Sequence, residues 1–393
     1  MLTDLRQHRR QSEILYLGCD SCALLPECGG LDDLTLWGCF QKCLTCDVER
    51  CDWTCPKNRN QFWSRFREVG GWPPKPLQNI RTAENLYLPL YLPQIHNGHD
   101  RRNRLAEPIV AVPTFSILKG RPSGSYGPIA SDRVAFRRAL KLSGTTKILL
   151  VSVAQDWHLE RFWRFAESCD VGPALRQLDI DAITTPNFSF FSDVPRTHSL
   201  WNLARMSRMT EYLSSSGINV IPHIHAATKT DWNYWTRIFL DDEHITHIIR
   251  EFQTGGRNRD VALSSIQKLA DFRDKLGREL HLVAVGAGQY ASILRRHFSK
   301  LTLVDSTPFI KTHKRQRLVL RPGSRPMWIR HQTAPDESLH ELLRDNVIAY
   351  RAWQENRIRE FSLEEKTDAE ENQIPTVSTI SNRQQEFSFS KSA

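Results

Sequence analysis

The chain has 393 residues, 40% of them hydrophobic and 25% charged, with a formal net charge of +9 and a pI near 9.1. That length holds one large core plus a small accessory module, and no apolar run is long enough for a membrane-spanning helix. The basic excess is compatible with nucleic acid, yet its compact groups are few: Arg101, Arg102 and Arg104, then Lys311, Lys314, Arg315 and Arg317, each equally explained as solvated surface charge.

Residues 1–18 are polar and basic and have no apolar signal-peptide core, so a reducing, cytoplasmic setting is expected. The next segment holds eight of the nine cysteines: Cys19, Cys22, Cys28, Cys39, Cys43, Cys46, Cys51 and Cys55. In a reducing compartment such density points to thiolate–metal bonds rather than disulfides. Cys19-x2-Cys22 and Cys43-x2-Cys46 are spaced like the paired knuckles of a zinc site, leaving the other four for a second site. Cys43-x2-Cys46-x4-Cys51-x3-Cys55-Pro56 instead approximates a ferredoxin run ending in Cys-Pro. The expected cofactors are therefore two [4Fe–4S] clusters or two Zn2+ ions, with iron–sulfur slightly favoured. Cys39-x3-Cys43-x2-Cys46 also resembles the three-cysteine motif of radical S-adenosylmethionine enzymes, although in that family the motif directly follows the first barrel strand. Here the first long strand pattern begins near Ile109.

Four regions are expected: a cysteine-rich metal module (1–58), an irregular proline-rich connector (59–108), a (β/α)8-like barrel (109–358) and a disordered polar tail (359–393). Short β-branched runs occur at Ile109–Phe115, Lys147–Val153, Ile180–Thr184, Asn219–Ile224, His247–Phe252, Leu280–Val285 and Leu301–Val304, with an eighth near Leu318–Leu320. Helical patterns fill the gaps, as at Trp201–Ser214, Ala262–Leu276 and Tyr290–Phe298. One helix per strand predicts an α/β protein with parallel strands, a (β/α)8 TIM-like barrel carrying an N-terminal cysteine-rich metal-binding module. A doubly wound open sheet is the alternative, against which stands the lack of a G-x-G-x-x-G after the first strand.

Parallel α/β enzymes place chemistry at the carboxyl ends of their strands. Reading those ends gives Asp156, Glu251 and Asp305 as acid/base candidates, with Asp305 equally suited to cap the following helix. Asn187, His223, His225, Gln253, Gly286 and Gly288 are the substrate-binding candidates. Period-two geometry sends His223 and His225 to one side of a strand, where they would hold a substrate or a metal, or stand as rim histidines. The turn around Gly286 and Gly288 offers backbone amides to a phosphate, or is simply a turn.

Thr185-Pro186-Asn187-Phe188-Ser189, Asp193-Val194-Pro195, Trp201-Asn202 and Gly217–Pro222 resemble an uncharacterised barrel family often encoded on mobile elements, which brings no established activity. More distantly, Leu282–Gly286 and Leu303–Ser306 are similar to strand ends of tRNA-guanine transglycosylases, whose closing zinc-ligand pattern this chain lacks. The leading expectation is a metal-containing enzyme acting on a nucleobase, nucleotide or nucleic acid. The alternatives are a nucleic-acid-binding metalloprotein without catalysis and a radical S-adenosylmethionine-type iron–sulfur enzyme.

Overall fold

The computed structural model describes residues 51–371 apart from 56–57, 73, 75–76, 78–79, 84, 123, 191–193, 254–257, 322–325 and 335, and no side chain from 360 onward. Twelve strands form among these residues: β1 (Tyr91–Pro93), β2 (Ile109–Pro113), β3 (Leu118–Gly120), β4 (Tyr126–Pro128), β5 (Lys147–Val151), β6 (Ala182–Thr184), β7 (Val220–Ile221), β8 (His247–Glu251), β9 (His281–Val285), β10 (Lys300–Asp305), β11 (Gln316–Val319) and β12 (Met327–Arg330). Eight are parallel and fall into two four-stranded sheets, ordered β2-β5-β6-β7 and β1-β10-β9-β8. The rest form two antiparallel pairs, β3 with β4 and β11 with β12.

The fold is therefore α/β with separate sheets, and the expected closed (β/α)8 TIM-like barrel is corrected. The ladder is interrupted on both sides, where the sheets meet only through the single bridges Gln94↔Ala111 and His223↔Ile249. Pro93 and Pro222, which lack a donor N–H, precede the bridging residue at the two junctions and stop the pairing from continuing. The seven expected runs each contain a parallel strand, but Leu318–Leu320 does not supply an eighth. That run overlaps β11, an antiparallel hairpin strand, and β1 from the expected connector pairs with β10 instead. Among the described residues there is no group of three or more His, Cys, Asp or Glu able to hold a metal ion, and the expected metal module lies almost wholly outside them. Cys19, Cys22, Cys28, Cys39, Cys43 and Cys46 lie outside the described residues, while Cys51 and Cys55 are half-buried.

Alternation along the parallel strands divides the core in two. Leu92, Ala111, Leu149, Val151, Ala182, Ile221, Ile249, Val283, Val285 and Val304 form an inner cluster between the sheets, joined at its amino end by Ala83, Leu86 and Leu88. The complementary side chains, Val110, Ile148, Ile183, Ile248 and Leu282 among them, lie in the outer cluster with apolar residues of the helices. The helices start where the sequence supplies caps. Asp132 accepts from Ala135 N, Asn258 from Asp260 N and Val261 N, and Thr228 with Asp231 closes a capping box. Gly277, at φ +63°, ends helix Arg259–Leu276 in the left-handed conformation that glycine adopts without a Cβ penalty.

Helix Arg196–Ser215 is buried along most of its length. Its Leu200, Trp201 and Ala204 pack on Phe62 and Trp72, so the first part of the expected connector is a helix (Arg59–Glu68) seated on this one. The segment just before it docks at the same helix start: Thr54 N donates to His198 Nδ1 at 3.3 Å, Thr197 Oγ1 donates to Thr54 O, and the Trp53 ring meets His198 edge-on. The last helix, His340–Glu371, extends twelve residues past Arg359, into the stretch expected as a disordered tail.

Candidate functional site at the carboxyl ends of the parallel strands

β7 ends at Ile221, and Pro222 leads to His223, which is fully buried. Neither ring nitrogen of His223 has a hydrogen-bond partner among the described residues, nor does Nδ1 of His225. The two rings stand nearly perpendicular with centroids 5.9 Å apart. Phe190 stacks on His225 at 4.5 Å and 21°, and the Phe188 backbone hydrogen-bonds to it. Burial pushes the His223 pKa down to about 3, with the Arg250 charge acting in the same direction. Burial likewise takes His225 well below the ordinary histidine range, followed by Arg250 and His223. Arg250 donates to Ile224 O at 2.9 Å, and its own pKa falls to about 10 through burial, opposed by Glu251. Both imidazoles are neutral at physiological pH: His223 has one donor and one acceptor unmet, while His225 gives its N–H to the Phe188 backbone and keeps Nδ1 as an acceptor.

A buried imidazole without partners carries a desolvation cost of roughly 1–3 kcal/mol for each unmet polar group. Such a group is kept where something else fulfils it, a ligand or ordered water. Glu251 lies near. His223 bridges Ile249, an inner-facing residue, so period two places Glu251 on the same side and one step closer to the carboxyl end. Glu251 is half-buried and accepts from Gln253 N at 2.8 Å.

The other expected residues are placed as follows. Asp156 is exposed at the start of helix Asp156–Phe165 and accepts from Ser189 Oγ at 2.8 Å. Asn187 Oδ1 accepts from Ala154 N at 3.0 Å, and Ser189 O accepts from Asn202 Nδ2 at 2.6 Å, so these bonds pin the loop after β6. Asp305 accepts from Thr307 N at 2.7 Å and from Tyr350 OH at 2.8 Å, and the cap of the following helix is Ser306 rather than Asp305. Tyr350 was not identified from sequence; it lies on the same helix as Leu343 and Val347, at the three- and four-residue spacing of a buried face.

The glycine turn is occupied by protein. Gly286, at φ +67°, gives its N–H to Val304 O at 3.0 Å, and Gln253 Cγ stands 2.3 Å from where a Cβ would be. Gln354 Nε2 fills the equivalent place at Gly288, 2.9 Å away, and Arg357 donates to Gly288 O at 2.9 Å. The structure thus brings His223, His225, Arg250 and Glu251 to one end of the sheets and joins Asp305, Gly288, Tyr350 and Gln354 into a separate packed knot.

Two buried arginines hold the histidine end in place. Arg196 Nη1 donates to Asp231 Oδ2 at 3.0 Å, a second donation reaches Asp231 Oδ1, and Nη2 donates to Thr228 Oγ1 at 3.2 Å. Arg205 lies over Trp201 at 3.6 Å and Phe188 at 4.1 Å, and its Nη1 donates to both Glu160 carboxylate oxygens at 2.8 and 2.9 Å.

No helix among the described residues is long and apolar enough to cross a membrane. No curated protein and no solved structure matches the chain. A family model does match residues 127–238, the span that carries Asn187, the Arg196–Asp231 pair, Arg205, His223 and His225: it is a domain of unknown function, DUF4417.

Proposed function

We propose that the protein is an enzyme acting on a nucleobase-bearing substrate, a nucleotide or nucleic acid, at the carboxyl ends of the parallel strands. The observation that carries this reading is the buried His223 ring with both nitrogens unmet. Neutral imidazoles beside one another present the alternating donors and acceptors that match a base edge, and the flat Phe190–His225 stack offers a face for a planar ring. The likeness of Leu282–Gly286 and Leu303–Ser306 to transglycosylase strand ends supports glycosidic-bond chemistry. In that chemistry Glu251 is the acid/base: the C1′–N bond breaks with its electron pair leaving on the base, a proton follows to the base, and water or a second base bonds to C1′.

The test is release of free base, followed chromatographically, from the four ribonucleosides, their monophosphates and a short RNA, with and without an added labelled base. Wild-type protein is expected to release or exchange a base, and Glu251→Gln to slow this about 10²–10⁴-fold. No release from any of these substrates, or full activity in Glu251→Gln, would contradict the reading.

A further inference from the structure

The opposite, amino-terminal end of the second sheet contains a cavity of about 520 Å3, in the range of small-molecule sites. Register builds one wall. His247, His281 and Lys300 are the first residues of β8, β9 and β10, and the pairings His247↔His281 and His281↔Lys300 set them side by side. The two imidazoles stack with centroids 4.7 Å apart and 19° between planes. Both are more than nine-tenths buried; His247 Nδ1 shares a hydrogen bond with Thr246 Oγ1 at 3.0 Å, and the Leu86 backbone is a further hydrogen-bond partner of the ring. His281 is fixed in one tautomer. The single Thr302 hydroxyl proton goes to Pro89 O at 2.7 Å, so Thr302 Oγ1 accepts from His281 Nε2 at 2.8 Å, which leaves Nδ1 as an acceptor.

The rest of the lining adds charge and flat surface. Lys300 is exposed, and no ion pair of its ammonium occurs among the described residues. Arg295 also lines the cavity, spending part of its guanidinium on the carbonyls of Phe298 and Ser299. Glu279 accepts from Ser299 Oγ, and Tyr87 stands 79% exposed. Two cations suit a phosphate, the stacked imidazoles and Tyr87 suit a planar ring, and a carboxylate with a histidine acceptor suits hydroxyls.

We propose that this cavity is a binding site for a nucleoside monophosphate, separate from the histidine site at the carboxyl ends. It lies four residues back along β8 from Glu251, roughly 13 Å at the rise of a strand, and it stands whether or not the carboxyl-end site acts on nucleobases.

AMP titration followed by histidine-ring 15N resonances, assigned by single substitutions, tests it, because each site reports separately. The His247 and His281 signals are expected to move saturably, and Lys300→Gln to weaken the AMP affinity read from them ~10-fold or more. Unmoved His247 and His281 signals at millimolar AMP would overturn the proposal, as would equal affinity in Lys300→Gln. Inorganic phosphate moving the same signals with the affinity of AMP would overturn the choice of ligand. Shifts confined to His223 and His225 would overturn this site while leaving the carboxyl-end reading intact, and shifts confined to His247 and His281 would support this site alone.

Discussion

Lowering the pH from 7 to 5 is expected to remove on the order of 8 kcal/mol of folding stability, most of what a domain usually has. Four buried histidines drive this. Burial takes the pKa of His198, His223 and His281 to about 3 and that of His247 to about 4. The cations near them act in the same direction: Arg205 and Arg65 at His198, Arg250 at His223, and Lys300 at His247 and His281. A group with a folded pKa below its unfolded value near 6.5 takes up a proton on unfolding. Its contribution is therefore complete above pH 6.5 and is lost as pH falls toward the folded value. At pH 5 each histidine loses roughly 2 kcal/mol. Urea unfolding followed by circular dichroism at pH 7, 6 and 5 measures the effect. A stability that stays level across that range would show that these rings are not buried neutral.

Asp231→Asn is expected to cost about 3–5 kcal/mol, because it leaves the Arg196 charge buried beside a neutral amide. Both side chains are nearly inaccessible, at 5% and 1% exposure. The same carboxylate accepts from Ala227 N at 2.8 Å and Thr228 N at 3.2 Å, so the start of helix Lys229–Asp241 loosens as well. These contacts bracket the His223–Ala227 segment, and helix Arg196–Ser215 begins at Arg196 itself. A weakened Phe190–His225 stack and lower activity should accompany the lost stability. The double variant Arg196→Met, Asp231→Leu is expected to recover much of the stability, since an apolar pair of similar volume often replaces a buried ion pair without loss. Thermal unfolding of the three variants decides it, and a loss below about 1 kcal/mol in Asp231→Asn would rule out the pair as an anchor.

Sequence pattern was a good guide to the strands and a poor guide to how they join. Seven β-branched runs are legible because each buries residues on both faces and so reads as a continuous apolar stretch. Tyr91–Pro93 is not, being three residues with prolines at positions 89 and 93, and it earns its strand only by pairing with Leu303–Asp305. The interruptions at the two sheet junctions depend on the partner strand, which no local pattern shows. At the site, period two put His223 and His225 on one side of a strand and left open which side that is, and the lack of partners at His223 is a property of the folded core. The Arg196–Asp231 pair spans 35 residues of chain and has no local signature. The Gly286 turn was legible as a turn, but its filling by Gln253, and that of Gly288 by Gln354, comes from distant elements.

If His223 is held for a ligand and not for the fold, the thermal midpoint of His223→Leu at pH 7 shows it. Leucine has nearly the volume of histidine and brings no polar atoms into a site where histidine has two unmet ones. The expected midpoint is equal to or above that of the wild type, by up to about 3 kcal/mol of added stability, in a protein that no longer binds its substrate. A midpoint lowered by more than a few degrees would contradict it, because His223 would then be a structural member of the core.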